Sequence, residues 1–135
     1  MRPAKTLYRL AKPGGEFGHI YAMCRRAGGK VRKGDLGFPT IVAERDGKVI
    51  AFVSTKPDKR AVIAGPLVIE GGANPFVFLR LAEAYENVML AAGVKAYLHH
   101  IDRERPEHVG FMERLGFTRW HETPQGWIMK RELAA

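Results

Sequence analysis

The chain contains a single cysteine and no long uninterrupted run of apolar residues. Cys24 has no partner for an internal disulfide, which is typical of the reducing cytoplasm, and its place on the apolar side of a predicted helix indicates a packing role. The longest apolar stretch, residues 61–69, is interrupted by Gly65 and Pro66 and is too short to span a membrane. The basic first fifteen residues have no apolar segment of the kind found in secretory signals. We therefore expect a cytoplasmic protein with no membrane segment.

The usual markers of several enzyme classes are also missing. The sequence has neither the Ser, His and Asp order of a nucleophilic hydrolase nor the lysine of a P-loop. His108 lies close to Glu104 and Glu107, but histidines and cysteines at metal-ligand spacing are absent, so we expect no metal site. There are no internal repeats and no linker-like segments. We expect one domain over residues 1–135.

What the chain does have is an uneven positive charge. The formal net charge is +8, and residues 1–35 hold nine basic residues against two acidic ones, Glu16 and Asp35. The nine are Arg2, Lys5, Arg9, Lys12, Arg25, Arg26, Lys30, Arg32 and Lys33. A field concentrated on one segment attracts polyanions or acidic substrates, while the alternative is a solvated basic face or tail.

The first third of the chain predicts a basic arm, a helix and a hairpin. Residues 1–15 are expected to be the basic arm, with an irregular backbone. Phe17, Ile20, Tyr21 and Cys24 then have the spacing of an amphipathic helix. Strands are predicted at residues 40–45 and 48–54, because Asp46 and Gly47 between them both tolerate the positive φ of a two-residue hairpin turn.

The remaining elements alternate between strands and helices. Residues 61–70 predict a buried third strand, which Gly65-Pro66 should open locally. A long helix is predicted from Asn74-Pro75 to Gly93, and the third and fourth strands on either side of it should be parallel. The later predicted elements are the fourth strand at 95–101, a short helix at 106–116 and a hairpin around 124–126. The predicted fold class is α/β (α+β), a mixed and mostly antiparallel twisted sheet with flanking helices.

A glycine turn lies between the third strand and the long helix, within the segment EGGANPF. Glycines allow close approach to the backbone, and free N–H groups at a helix start favour negative charge. The segment therefore predicts a site for an anionic, nucleotide-type cofactor.

The ending MERLGF, residues 112–117, is similar to the Tyr-Glu-Lys-Leu-Gly-Phe ending of the last helix of the GNAT acyltransferases. The hairpin, the interrupted strand and the glycine turn match that superfamily in position over residues 15–135. The resemblance, to a divergent member, implies a GNAT-like acyl-CoA N-acyltransferase fold and acetyl-CoA (coenzyme A) as the cofactor. It also implies that pantetheine runs along Leu67, Val68 and Ile69. The phosphates would meet the amides of Gly71, Gly72, Ala73, Asn74 and Phe76.

The chain departs from that family at four positions. Glu70 places an acid beside the glycine turn, and Pro75 removes one N–H donor. Met112 occupies the position of the tyrosine that often protonates the leaving thiolate, and Arg105 aligns with a common asparagine. A thioether cannot donate a proton, so the proton donor has to be sought elsewhere.

Three residues are candidates for the group that takes the amine proton. His99 and His100 end the fourth predicted strand, and only one can face the cleft because successive strand residues point to opposite faces. Either histidine can instead be merely packed or solvated. Glu70 is either a base or a polar cap on the turn. We expect Tyr85 and Tyr97 to belong to the core.

The sequence thus predicts a basic cytoplasmic transferase, an N-acetyltransferase that moves an acetyl group from acetyl-CoA directly to an amine. The acceptor would approach the basic segment, which suggests an anionic or nucleic-acid-linked amine. We expect the protein to be a monomer or a homodimer. The alternative is a catalytically degenerate GNAT-fold module that binds nucleic acid or a protein partner. The residues assigned to the acceptor or polyanion side are Arg25, Arg26, Lys30, Arg32 and Lys33.

Overall fold

The computed structural model describes residues 5–32, 34–71 and 75–133, which form seven strands and three helices. None of these helices has the length and apolar character required to cross a membrane. In chain order the elements are β1 (Thr6–Leu10), α1 (Gly15–Arg26), β2 (Gly37–Arg45), β3 (Lys48–Lys56), β4 (Ile63–Ile69), α2 (Pro75–Ala91), β5 (Ala96–Asp102), α3 (Glu107–Arg114), β6 (Phe117–Thr123) and β7 (Gly126–Glu132).

All seven strands belong to one sheet, in the order β1-β2-β3-β4-β5-β7-β6. Neighbouring strands are antiparallel except β4 and β5, which are parallel and connected through α2. This confirms the mixed, mostly antiparallel sheet and the parallel central pair. The closing hairpin folds back so that β7, the last strand, lies between β5 and β6.

The prediction of an irregular arm over residues 1–15 is wrong for residues 6–10. These residues form β1, which pairs with β2 from Thr6↔Arg45 to Leu10↔Ile41. Arg9 donates to Glu16 and to Glu44, at 2.8 and 2.9 Å. These hydrogen bonds raise the pKa of Arg9, and the bond from Arg9 lowers the pKa of Glu16. The basic composition suggested a solvated arm, whereas the acidic partners on α1 and β2 neutralise the charge and fix the strand.

The helices cover the two faces of the sheet differently. The large core cluster joins α2 and α3 to one face, with Leu81, Tyr85 and Met112 among its buried members. The smaller cluster lies on the other face and joins Ile20 and Cys24 of α1 to Val42, Val49 and Phe52. Cys24 is buried, as predicted, and burial raises the pKa of its thiol.

The predicted hairpin turn is confirmed, since Asp46 and Gly47 have φ of 54° and 75°. The predicted opening of the third strand is confirmed as well. β4 and β5 pair only at Ile63↔Leu98 and Ala64↔His99 within the described residues. Past Ala64, Gly65 has a positive φ of 136° and Pro66 has no N–H to offer the ladder. The two parallel strands therefore separate after Ala64 and His99.

Candidate active site

The site is the gap between the diverging halves of β4 and β5. On one side, β4 remains paired with β3 through Val53↔Leu67 and Ala51↔Ile69. On the other side, β5 remains paired with β7 along its whole length. Each strand is held by its outer neighbour, so the gap is a built feature of the sheet and not a frayed end. We call its closed end, at Ala64 and His99, the apex.

A small cavity of about 20 Å³ lies at the apex. Its walls come from β3, β4, α2, β5, α3 and β6, and most of them are apolar or aromatic. The lining residues are Val53, Ala64, Leu67, Phe78, Ala82, Tyr85, Tyr97, His99, Met112 and Phe117. Leu67, His99 and Met112 were already singled out from the sequence. Val53, Phe78 and Phe117 were missed, because their sequence pattern is that of ordinary core residues.

His99 is the histidine that faces this cavity. Its Nδ1 lies 3.2 Å from the carbonyl oxygen of Ala64, and its ring lies against Phe117 with centroids 6.5 Å apart. Burial lowers the pKa of His99, and the hydrogen bond to Ala64 opposes this effect. His99 is therefore neutral at pH 7.

His100 points to the opposite face of the sheet. It pairs with Ile128 on β7, and Ile128 pairs with His121 on β6, so the three residues form a row across three strands. His100 is partly buried. Of the two predicted histidine candidates, the structure brings only His99 to the apex.

Two tyrosines in the cavity wall have their hydroxyl groups engaged, as expected for core residues. The Tyr85 hydroxyl lies 2.8 Å from the Thr55 hydroxyl, and burial raises the pKa of Tyr85 to about 12. The Tyr97 hydroxyl donates to Glu86 at 2.7 Å. Burial, followed by this bond, raises the pKa of Tyr97. Neither phenol is a ready proton donor near neutral pH.

Glu86 of α2 is a charged residue that turns inward, beside Tyr97. Its side chain is only 18% exposed and accepts from Arg131 at 3.1 Å as well as from Tyr97. A helical position beside the buried stripe can turn inward when a cation on a neighbouring strand compensates its charge.

At the open end of the gap, Glu70 follows β4 and carries an ion pair. Its backbone N–H donates to Ile50, while its carboxylate accepts from Arg26 of α1 at 2.6 and 3.0 Å. Gly71 has a φ of 80° and no atom close to the position of an added Cβ. The glycine turn thus begins beside a paired acid and base, and Glu70 is engaged as a polar group of the turn.

Gly72, Ala73 and Asn74 lie outside the described residues, as does Lys33 of the basic segment. α2 begins at Pro75, as predicted, and the Phe76 side chain beside it is 75% exposed.

The basic segment is divided by its contacts. Arg26 is paired with Glu70, whereas Arg25, Lys30 and Arg32 have no ion pair within the described part of the chain. The loop that carries Arg32 is closed locally, because the backbone N–H of Arg32 donates to Asp35 at 2.8 Å. The basic residues of this segment therefore differ in environment: Arg26 lies at the glycine turn, whereas Arg25, Lys30 and Arg32 are exposed to solvent.

A second cavity, of about 600 Å³, lies between the start of α3 and the tip of the β6–β7 hairpin. Arg119 lies over the Trp127 ring at 5.4 Å, and Asp102, Glu122 and Arg103 complete its charged lining. The sequence contained no sign of it, since its residues come from separate elements. In the described ranges no three His, Cys, Asp or Glu side chains are grouped so as to hold a metal ion.

No protein-family model and no curated protein sequence matches the chain. Solved structures match it over nearly its whole length. A ribosomal-protein alanine N-acetyltransferase from Escherichia coli superimposes with a TM-score of 0.78 at 15% identity, covering 97% of this chain and 96% of that one. The protein yncA from Salmonella typhimurium, solved with its cofactor acetyl-CoA, gives 0.77 at 17% identity over 97% and 95%. A GNAT family N-acetyltransferase, YhbS from Escherichia coli in complex with CoA, gives 0.74 at 20% identity over 99% and 84%. The predicted fold is thereby confirmed.

Proposed function

We propose that this chain, which has the fold of the GNAT N-acetyltransferases, moves an acetyl group from acetyl-CoA to an amine. The observation that carries the proposal is the gap between β4 and β5, which is apolar at its apex and opens towards a glycine turn at a helix start. A long ligand with an anionic end and a thioester end matches both features. The neighbouring structures solved with CoA or acetyl-CoA support the same ligand.

The residues of the gap fit this ligand chemically. Past Ala64, β4 has no further pairing with β5 in the described chain, and an amide-containing pantetheine arm can lie along this edge, beside Leu67, Val68 and Ile69. The phosphates would meet the turn at Gly71, where no side chain blocks the backbone. The rest of the phosphate site in this proposal is Gly72, Ala73, Asn74 and Phe76.

The chemistry we propose is direct transfer. The neutral amine attacks the thioester carbonyl, the C–S bond breaks, and no covalent enzyme intermediate forms. Burial of the apex would exclude water from the thioester and strengthen the electrostatic contacts made there. Holding the two reactants side by side in the gap between β4 and β5 would supply the orientation that a bimolecular reaction in water lacks.

We further propose that the acceptor, an anionic or nucleic-acid-linked amine, approaches the exposed cations Arg25, Lys30 and Arg32, together with Lys33, which lies outside the described residues. Arg26 is reassigned from this set to the cofactor end, because its side chain is held against Glu70 at the start of the glycine turn. Exposed charges of this kind raise the association rate more than the affinity.

Calorimetric titration with acetyl-CoA and CoA tests the proposal. We expect binding of one molecule per chain, and native mass spectrometry of freshly purified protein should show CoA bound. Leu67→Glu places a charge in the gap and should abolish binding, whereas Leu7→Glu on the exposed edge of β1 should leave it intact. A folded protein that binds neither ligand would refute the assignment.

A second function is favoured by Met112, which leaves the site without the family's phenol. It is also favoured by Arg25, Lys30 and Arg32, which have no ion pair among the residues that the structure describes. This second function is a catalytically inactive module that binds nucleic acid or a protein partner. It predicts binding of RNA or DNA that weakens steeply with salt. Such binding together with no affinity for CoA would select it over the transferase.

A further inference from the structure

Among the cavity residues at the apex, His99 is the one whose proton can move at neutral pH. The Tyr85 and Tyr97 hydroxyls are engaged with Thr55 and Glu86, and burial raises the pKa of both phenols. Met112, in the same wall, carries no exchangeable proton. The remaining cavity residues are apolar.

The hydrogen bond to Ala64 determines the tautomer of the His99 ring. A carbonyl oxygen can only accept, so Nδ1 must carry the hydrogen, and in the neutral ring Nε2 then has a free lone pair. No hydrogen bond within the described residues uses Nε2. The ring is thus oriented at Nδ1 and available for proton transfer at Nε2.

The surroundings favour a neutral resting state. Burial is the main cause of the lowered pKa of His99, and the neighbouring basic side chains of His100, Lys56 and His108 act in the same direction. A base that is neutral before the reaction can accept a proton, and the imidazolium then formed in such a site releases it readily.

We propose that His99 carries the proton of the transfer reaction from the amine nitrogen to the leaving sulfur. This proposal rests on the acetyltransferase function proposed above. As the amine nitrogen bonds to the carbonyl carbon, Nε2 takes the amine proton. As the C–S bond breaks, Nε2 gives the same proton to the sulfur. One N–C bond forms, one C–S bond breaks, one proton passes from nitrogen to sulfur, and the ring ends neutral.

Nuclear magnetic resonance of the ring nitrogens tests the proposal without knowledge of the acceptor. In protein with nitrogen-15-labelled histidine, His99 should be protonated at Nδ1 and bare at Nε2, and a His99→Gln variant assigns its signals. Addition of CoA should shift the Nε2 resonance, whereas desulfo-CoA, which lacks the sulfur, should leave it nearly unchanged. A ring protonated at Nε2, or equal responses to the two ligands, would overturn the proposal.

This test separates the two proposals. If CoA binds but Nε2 does not respond to its sulfur, the transferase assignment stands and the role of His99 is refuted. If calorimetry finds no binding of CoA, the transferase assignment fails and the proton-carrier role falls with it.

Kinetics with acetyl-CoA and a set of primary amines provides a second measurement. His99→Gln should lower the rate of CoA release by about 10²-fold or more and remove the ionisation from the acidic limb of the pH profile. His121→Gln, on the exposed edge strand, should retain the wild-type rate and profile. Met112→Tyr in the His99→Gln background should restore part of the rate, because a phenol can protonate the thiolate. A loss of rate in His100→Gln that exceeds the loss in His99→Gln would contradict the assignment.

Discussion

The two ends of the gap between β4 and β5 are built from opposite kinds of residue. The apex is closed by buried aromatic and apolar side chains around His99, while the turn end is an exposed ion pair, Arg26–Glu70, beside a glycine. Arg26 is 54% exposed, whereas Phe117 at the apex is 5% exposed. The apex residues therefore belong to the hydrophobic core that supports the fold, whereas the ion pair at the turn end lies outside that core.

This difference has an energetic consequence. Removing a buried aromatic side chain loses both its transfer free energy and the packing around the resulting cavity. Removing one member of an exposed ion pair loses little, because water and salt screen the charges. Substitutions at the apex should therefore mainly lower the free energy of unfolding, and substitutions at the turn should mainly change the affinity for the ligand.

The largest effect is expected for Phe117→Ala. Phe117 packs edge-on against Tyr97, with ring centroids 5.5 Å apart, and lines the cavity beside His99. We expect the free energy of unfolding to fall by about 3–5 kcal/mol, measured by urea denaturation. Leu90→Ala, at a position 46% exposed on α2, should change it by less than about 0.5 kcal/mol. Equal losses at the two positions would show that the apex is not part of the core.

The second-largest effect is expected for Tyr97→Phe, which should be more destabilising than Tyr85→Phe. Tyr97→Phe removes a hydrogen bond to a carboxylate and should cost about 1.5–3 kcal/mol of unfolding free energy. Tyr85→Phe removes a bond between two neutral hydroxyls and should cost about 0.5–1.5 kcal/mol, since Thr55 also donates to Pro39. Thermal and urea unfolding of the two variants give the comparison. The prediction fails if Tyr85→Phe is the more destabilised.

A third prediction concerns the dependence of stability on pH. The pKa of His99 in the folded protein is below its ordinary value of 6.5, so below that pH the unfolded chain binds a proton that the folded chain does not. The unfolding free energy is therefore highest above about pH 6.5 and decreases as the pH falls below that value. One such proton changes the unfolding free energy by at most about 1.4 kcal/mol per pH unit.

The measurement is urea denaturation between pH 5 and 7.5, a window set around that ordinary value. His99→Gln should have a shallower slope than the wild type, and His121→Gln, at an exposed position, should keep the wild-type slope. A wild-type slope retained in His99→Gln would mean that His99 has the same pKa in the folded and the unfolded protein, and would contradict the prediction.

Much of the architecture could be predicted because local signals agreed with it. Three local features each restrict the backbone to one conformation. They are the turn at Asp46-Gly47, the interruption at Gly65-Pro66 and the proline at the start of α2. The alternation of strands and helices then leaves few topologies. The parallel pairing of β4 and β5 followed from that order alone.

What could not be predicted depends on partners that are distant in the sequence. β1 resembles a basic tail until Arg9 is seen to meet Glu16 and Glu44. Glu86 reads as a surface residue until Tyr97 and Arg131 are placed beside it. Charge patterns in a sequence indicate which groups need compensation, but only the fold supplies the compensating group.

Some features of the candidate site could likewise be predicted from the local sequence, while others depend on residues that are distant in the sequence. Strand alternation established that His99 and His100 face opposite sides, yet the choice between them needed the position of Ala64 on the neighbouring strand. Glu70 was recognised from the sequence as an anomalous acid beside the predicted anion site. Its partner Arg26 is 44 residues away, so no local pattern connects them.

The smallest change in stability, and the clearest contrast with the apex, is expected at the turn. Arg26→Ala should alter the unfolding free energy by less than about 1 kcal/mol, because the pair with Glu70 is exposed. Yet Arg26 is held where the glycine turn begins, so its loss should weaken CoA binding by about twofold to fivefold in calorimetry. Glu70→Gln should have the opposite effect and strengthen CoA binding, because it removes an anion from the same place and frees the guanidinium of Arg26.

Arg25→Ala, on the same helix without an ion pair in the described chain, serves as the control and should leave CoA affinity unchanged. If Arg25→Ala and Arg26→Ala weaken binding equally, the basic segment acts only through its general field and Arg26 belongs with the acceptor side. Opposite signs for Arg26→Ala and Glu70→Gln would instead identify the ion pair as the polar end of the ligand gap, complementary to the apolar apex.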